Sequence, residues 1–190
     1  MKVTIIRKKN TSGFTLAETL VAILIMLMVS SVVVAGIPAA ANAYTKAVDA
    51  ANAQALLSTT ITALRNELGM AQDVKVNGTE VTYFNLDNQN YSKINTTSSE
   101  IILTEFVGIQ DAAPAAGTGS SSPKTRVRPL ISKSAKTQML TVSYSGVTCN
   151  SKVITFSDLS VKKGEGESAA TIASAPSFEI RFISAAPTGS

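Results

Sequence analysis

Between Glu18 and Lys46 the chain runs for 27 residues without a charged side chain, and this feature limits its fold more than any other. Phe14 to Ile37 alone are 24 mostly apolar residues, which as a helix rise about 36 Å at ~1.5 Å per residue. The hydrocarbon core of a bilayer is about 30 Å thick, so the segment is long enough to cross it with some tilt. Lys2, Arg7, Lys8 and Lys9 precede it, and no acid lies among the first thirteen residues. This asymmetry predicts an N-terminus in the cytoplasm and a body outside. Past that tip the chain carries 13 basic and 13 acidic residues, so the pI of about 9.2 belongs to the tip. It is no sign of a nucleic-acid-binding body.

The residues that chemistry needs are scarce. The chain has no His, which removes the commonest general base and metal ligand. Cys149 is alone, so an intrachain disulfide is ruled out, and its plain reading is a small half-buried residue. No nucleophile–base pair, phosphate-binding loop or metal cluster stands out. We therefore expect neither an enzyme nor a cofactor.

Within the apolar segment Glu18 is the anomaly. A carboxylate at the centre of a membrane helix costs roughly 2.5–3.5 kcal/mol, less near an end, and is by default functional with a partner to be named. A secretory signal with a site at Ala41-Asn42-Ala43 would deliver a secreted or anchored binding protein, such as an adhesin or a DNA receptor. A plain signal anchor is the other ordinary reading. Neither explains Glu18. A cut just before Phe14 does, because it creates an α-amino group one helical turn ahead of the carboxylate. That amine is a cation suited to Glu18 in the same chain or in a neighbour, and Gly13 supplies a small residue at the scissile bond.

The stretch "KKNTSGFTLAETLVAILI" resembles the class III signal of type IV prepilins and pseudopilins: a basic leader ending in Gly, then Phe-Thr-Leu, any residue, Glu, and a long apolar run. It falls on Gly13, Phe14, Thr15, Leu16, Ala17 and Glu18 without a departure. The resemblance implies cleavage after Gly13 by a membrane prepilin peptidase, N-methylation of Phe14, and filament assembly that uses Glu18. It also implies partners: other pilin subunits, a membrane platform protein and a cytoplasmic assembly ATPase. The protein would sit as a single-pass membrane protein before joining a pilus or pseudopilus.

Beyond the membrane segment, Gly36 and Pro38 are expected to bend or loosen the helix. Ala50, Leu57, Ile61, Leu64, Leu68 and Ala71 recur at helical spacing, and Gly69 is a stop. "VKVNGTEVTYF" reads as a hairpin turning at Asn77-Gly78. Further strands are expected at Glu100–Phe106, Arg126–Ser132, Met139–Ser145, Lys152–Ser157 and Ser177–Ser184, with linker-like loops at Asp111–Lys124 and Lys162–Pro176. The expected organisation is a leader (1–13), a membrane or filament-core helix (14–38), its amphipathic continuation (39–71) and a β-rich head (72–190). The fold class is α+β, a long N-terminal helix packed on antiparallel sheet, which is also the architecture that the pilin resemblance implies. "ALRNELGMAQDV", the hairpin with Tyr83 and the "RPL" strand are similar to J-type minor pseudopilins and minor pilins. The paired C-terminal cysteines of many major pilins are absent. Adhesion, motility, secretion and DNA uptake all remain open as the system served.

One further patch is conspicuous. Lys124, Arg126, Arg128, Lys133 and Lys136 form a run without an acid, with Arg126 and Arg128 on one face if the segment is a strand. It suits DNA or an acidic partner subunit, and its simpler reading is an edge strand protected by charge. "NLDNQNY" (Asn85–Tyr91) and "GEGES" (Gly164–Ser168) are rich in oxygen ligands but lack the alternating spacing of a calcium loop, so no metal is expected. Processing provides the first test. Gly13→Ala is expected to be cut poorly and Gly13→Arg not at all, read as leader removal on immunoblots. Normal cutting of Gly13→Arg would sink the class III reading.

Overall fold

The computed structural model describes residues 15–97, 99–108, 124–131, 139–164 and 169–182. Gly13, Phe14, Lys133, Lys136 and nearly all of the Asp111–Lys124 stretch lie outside them. The elements are α1 (Leu16–Gly69), β1 (Ala71–Asn77), β2 (Glu80–Asn85), β3 (Asn90–Thr96), β4 (Ile101–Val107), β5 (Lys124–Pro129), β6 (Leu140–Ser143), β7 (Gly146–Asn150), β8 (Val153–Lys163) and β9 (Ala170–Arg181). One long helix is thus followed by antiparallel sheet, an α+β, pilin-like architecture. The chain divides into two compact units, one up to Lys46 and one from Ala47.

In the first unit, α1 is exposed along its whole described length. The helix runs through Gly36 and Pro38 without a break, although Pro38 removes one backbone donor. It ends at Gly69, where the sequence places the stop.

In the second unit, α1 buries Asp49, Ala53, Leu56, Thr60, Leu64 and Leu68, at helical spacing. Leu64 and Leu68 were expected there, but Ala50, Leu57 and Ile61 are only half-buried and flank the stripe. The buried line is turned toward Asp49, because the Lys163 ammonium at the end of β8 donates to its Oδ2. Thr60 is accommodated by donating its hydroxyl to the Leu56 carbonyl at 2.7 Å. These residues share one core with Val81, Tyr83, Ile94 and Leu103 of the first sheet and with Val142, Ile154, Phe156, Leu159 and Val161 of the second.

The first sheet is a meander, β1-β2-β3-β4-β5, antiparallel throughout. Its first hairpin is the expected one, with the turn one residue on: Asn77 pairs with Glu80, and Gly78-Thr79 form the loop. Gly78 takes φ +62° at the first loop position, a conformation that glycine adopts without penalty. β3 falls on "NYSKINT", a strand missed in the sequence because its alternation mixes polar residues into both faces.

In the second sheet, β8 pairs with β9 along its whole length, so β6 and β7 share its other edge in one continuous register. Ser143 pairs with Ser160, and Gly146 with Ser157. The gap between them, Tyr144-Ser145, faces Asp158, which has φ +50°. The β8–β9 ladder skips Asp158 and Pro176 in the same row. Asp158 takes a 2.9 Å bond from the Ser145 hydroxyl at its Oδ2, while the register shift of this ladder falls further on, between Val161 and Lys162. The expected loop at Lys162–Pro176 is corrected here: Ala170–Pro176 is the first half of β9, pairing with Lys163 back to Leu159. Its small uncharged residues read as linker only because sheet pairing is invisible in composition.

The Asp49–Lys163 pair bonds α1 to β8 from opposite ends of the head's sequence. Asp49 is 7% exposed, whereas the Lys163 side chain is 36% exposed and retains access to water. Removing the lysine therefore strands a buried carboxylate. We expect Lys163→Met to destabilise by about 2–3 kcal/mol, below the loss for a fully buried pair. Asp49→Asn should cost about 1 kcal/mol, since it leaves a lysine that water can serve. At roughly 2–4 °C per kcal/mol, thermal unfolding by circular dichroism separates the two variants.

Candidate functional site

α1 opens with a reciprocal cap. Thr15 precedes the first helical residue, and its hydroxyl accepts the Glu18 N–H at 3.3 Å. Glu18 Oε2 in turn accepts the Thr15 backbone N–H and the Thr15 hydroxyl, both at 2.9 Å. This is a capping box of the T-x-x-E kind, which satisfies donors that a helix start leaves unpaired. Glu18 thus has a partner that the sequence reading did not name, although Thr15 three residues ahead of a glutamate was the visible signal. Glu18 Oε1 has no partner among the described residues.

Around the carboxylate, Ala17, Glu18, Val21, Ala22 and Ile25 line a shallow groove along α1. Small residues such as Ala17 and Ala22 let a second helix approach closely. From Leu20 to Ile37 the large apolar side chains are exposed on every side of the helix. A helix that is apolar all round calls for apolar surroundings. Its hydroxyls are already satisfied: Ser30 donates to the Met26 carbonyl at 2.8 Å and Ser31 to the Met28 carbonyl at 2.7 Å. That is what hydrocarbon requires of polar groups. Among the described residues, α1 is the one helix long and apolar enough to cross a membrane.

Residues 8–34 match the family model described as the prokaryotic N-terminal methylation motif. This supports a type IV pilin-like precursor anchored in a membrane. No curated protein and no solved structure matches the chain. The matched span contains Gly13, Phe14 and Glu18, and Glu18 stands at the first turn of the exposed apolar helix.

A second polar constellation lies in the head. At the end of α1, Glu67 Oε1 accepts the Tyr83 hydroxyl and the Asn85 amide, each at 2.8 Å. Tyr83, Ser92, Glu105 and Arg126 are successive partners across β2 to β5. Tyr83 and Ser92 are fully buried, and Glu105 is nearly so. Arg128 donates to Glu105 Oε1 at 3.1 Å, and the Arg126 guanidinium lies 3.8 Å from Oε2. Of the predicted basic patch, Lys124, Arg126 and Arg128 lie on β5, the outermost strand of the first sheet, and all three are exposed. Lys133 and Lys136 lie outside the described residues.

The segment read for calcium closes the β2–β3 hairpin, where Asn85 Oδ1 accepts the Asp87 N–H at 2.9 Å. Residues 165–168 of the "GEGES" stretch lie outside the described residues. Cys149 is half-buried, and burial pushes its thiol pKa up, away from reactivity.

Burial, then the Glu67 carboxylate, holds the Tyr83 hydroxyl well above the ordinary tyrosine range. Burial, then the Glu80 carboxylate, does the same for Tyr144, whose hydroxyl donates to the Thr79 carbonyl at 2.7 Å. Both raised values mean that folding favours the neutral phenols. Their contribution is complete below the unfolded value of about 10 and is lost as pH rises through the folded values. In an alkaline titration of the 4 tyrosines, we expect Tyr83 and Tyr144 to ionise only as the head unfolds. Tyr83→Phe should remove one of these late steps. Ultraviolet tyrosinate absorbance followed alongside circular dichroism checks this; ionisation of all four near pH ~10 in an intact fold would contradict it.

Proposed function

We propose that the protein is a structural subunit of a type IV pilus-like filament, cleaved after Gly13 and N-methylated at Phe14. The single observation that carries this reading is Glu18: a carboxylate whose second oxygen has no partner among the described residues, beside the small Ala17 and Ala22, on a helix apolar on every side. Before assembly the capping box with Thr15 reduces the cost of holding that carboxylate at the membrane. In the filament, Glu18 Oε1 meets the α-amino group of Phe14, in the same chain or in the next subunit. Apolar helices then bury against one another the surface that lipid covered.

The prepilin peptidase, a membrane platform protein and a cytoplasmic assembly ATPase complete the machinery, with the N-terminus in the cytoplasm before assembly. The head's order of elements and the absence of a cysteine pair favour a minor pilin or pseudopilin over a main subunit. The action is assembly, not catalysis.

Glu18→Val and Glu18→Ala are expected to leave insertion and leader cleavage intact, since they remove a costly group from the membrane segment. Incorporation into filaments should fall by about tenfold or more. The protonated amine would be drawn into an apolar bundle without its counter-charge, at a cost of several kcal/mol. Glu18→Asp should assemble in part, and better than Glu18→Gln. The measurement is mature protein in sheared filaments against that left in membranes, with intact mass to establish a methylated start at Phe14. Wild-type incorporation of Glu18→Val would overturn the assembly role. A mature start near Tyr44 would point to a secreted binding protein instead.

A further inference from the structure

We infer that the outer edge of β5 is a docking strand for an extended, acidic segment of a partner protein, which adds to the first sheet as a further strand. This inference does not rest on the filament reading.

The backbone supplies the first argument. The Leu130 N–H donates to the Ile101 carbonyl at 2.8 Å, in register with the β4–β5 ladder. Hydrogen-bonded pairs alternate in an antiparallel ladder, so the main-chain groups of Lys124, Arg126 and Arg128 turn toward β4. Those of Thr125 and Val127 turn outward, and no described residue partners them. Pro129, in the same outward-facing set, has no N–H to offer and closes the edge at that end. Among the described residues this leaves a short stretch of donors and acceptors without a partner, enough to seat an extended peptide and too short to template an open-ended sheet.

The side chains say which peptide. Arg126 and Arg128 project from one face, two residues apart, with their side chains 73% and 49% exposed. Among the described residues both answer to a single carboxylate, Glu105, whose side chain is 12% exposed. Two guanidiniums on one buried carboxylate leave a positive charge in excess at the edge, to which Lys124 adds another. The Arg126 contact is the longer of the two, which leaves its fork of donors available. An added strand with acidic residues at alternating positions would set carboxylates opposite both arginines, at the spacing of cross-strand pairs.

DNA fits less well. Affinity for a duplex comes from many phosphate contacts, and here one carboxylate already neutralises part of a small patch. The outward N–H and C=O groups of Thr125 and Val127 would also have no task against a phosphate backbone.

The test uses the full mature chain in detergent micelles and a fluorescent peptide in which Glu alternates with Val and Thr. The peptide should bind in fluorescence anisotropy and slow amide hydrogen exchange at Thr125 and Val127. Arg126→Glu should weaken binding by about tenfold. A backbone N-methylated copy of the same peptide, which keeps the charges but cannot pair as a strand, should bind at least about tenfold more weakly. That control leaves the protein unaltered, so it decides the matter even if the arginine variant folds poorly. Equal binding of the N-methylated peptide, unchanged exchange at Thr125 and Val127, or binding of a short duplex DNA in place of the peptide would each overturn the proposal.

Discussion

A helix apolar on every side up to Ile37 and on one side only beyond Ala47 must change its surroundings along its length. The rest of the structure follows from where that change falls. Past it, α1 keeps one buried stripe, running from Asp49 to Leu68, and this stripe closes the core that both sheets share. A polar contact fixes each end of the stripe. Lys163 holds Asp49 at one end, and Tyr83 and Asn85 hold Glu67 at the other. Leucines alone would tolerate some rotation of the helix, because apolar packing is not directional. The two carboxylates are what fix its angle.

Much of this was legible in the residues. Uncharged length marked a helix long and apolar enough to cross a membrane, Gly69 ended the helix, and Asn77-Gly78 marked the first hairpin, one residue early. The rotation of the buried stripe was not legible, because the partner of Asp49 lies 114 residues away and no local pattern points to it. β9 was hidden for a related reason. "ATIASAP" looks like a linker until β8 is laid beside it, since pairing depends on the neighbour rather than on the segment. β3 escaped because it buries Tyr91 and Ser92 in succession, which blurs the alternation expected of a half-buried strand.

At the N-terminal end of α1 the sequence drew attention to Glu18 but not to its bond with Thr15. Glu18 stood out by its cost, and the search for a cation led past Thr15, a neutral neighbour that caps through its backbone and hydroxyl. The cap is compatible with the proposed pairing to the Phe14 amine, because a carboxylate has two oxygens and the cap uses one. In the head, the basic residues of β5 were visible as a run, but Glu105 beneath them was not, being 21 residues upstream of Arg126. That carboxylate turns a simple patch of positive charge into a paired edge with a little charge left over.

Pro176 and the register shift between Val161 and Lys162 bear on how the protein behaves at high local concentration. β9 is a 12-residue strand whose first half is uncharged, and a straight ribbon of that kind is the shape on which cross-β fibrils grow. Crowded copies of the chain would bring such ribbons close together. Pro176 withholds a donor midway along β9, and the register shift between Val161 and Lys162 interrupts the flat repeat that stacking requires. Irregularity in the middle of the sheet acts as a safeguard against indefinite stacking, so crowded heads can stay soluble and separate.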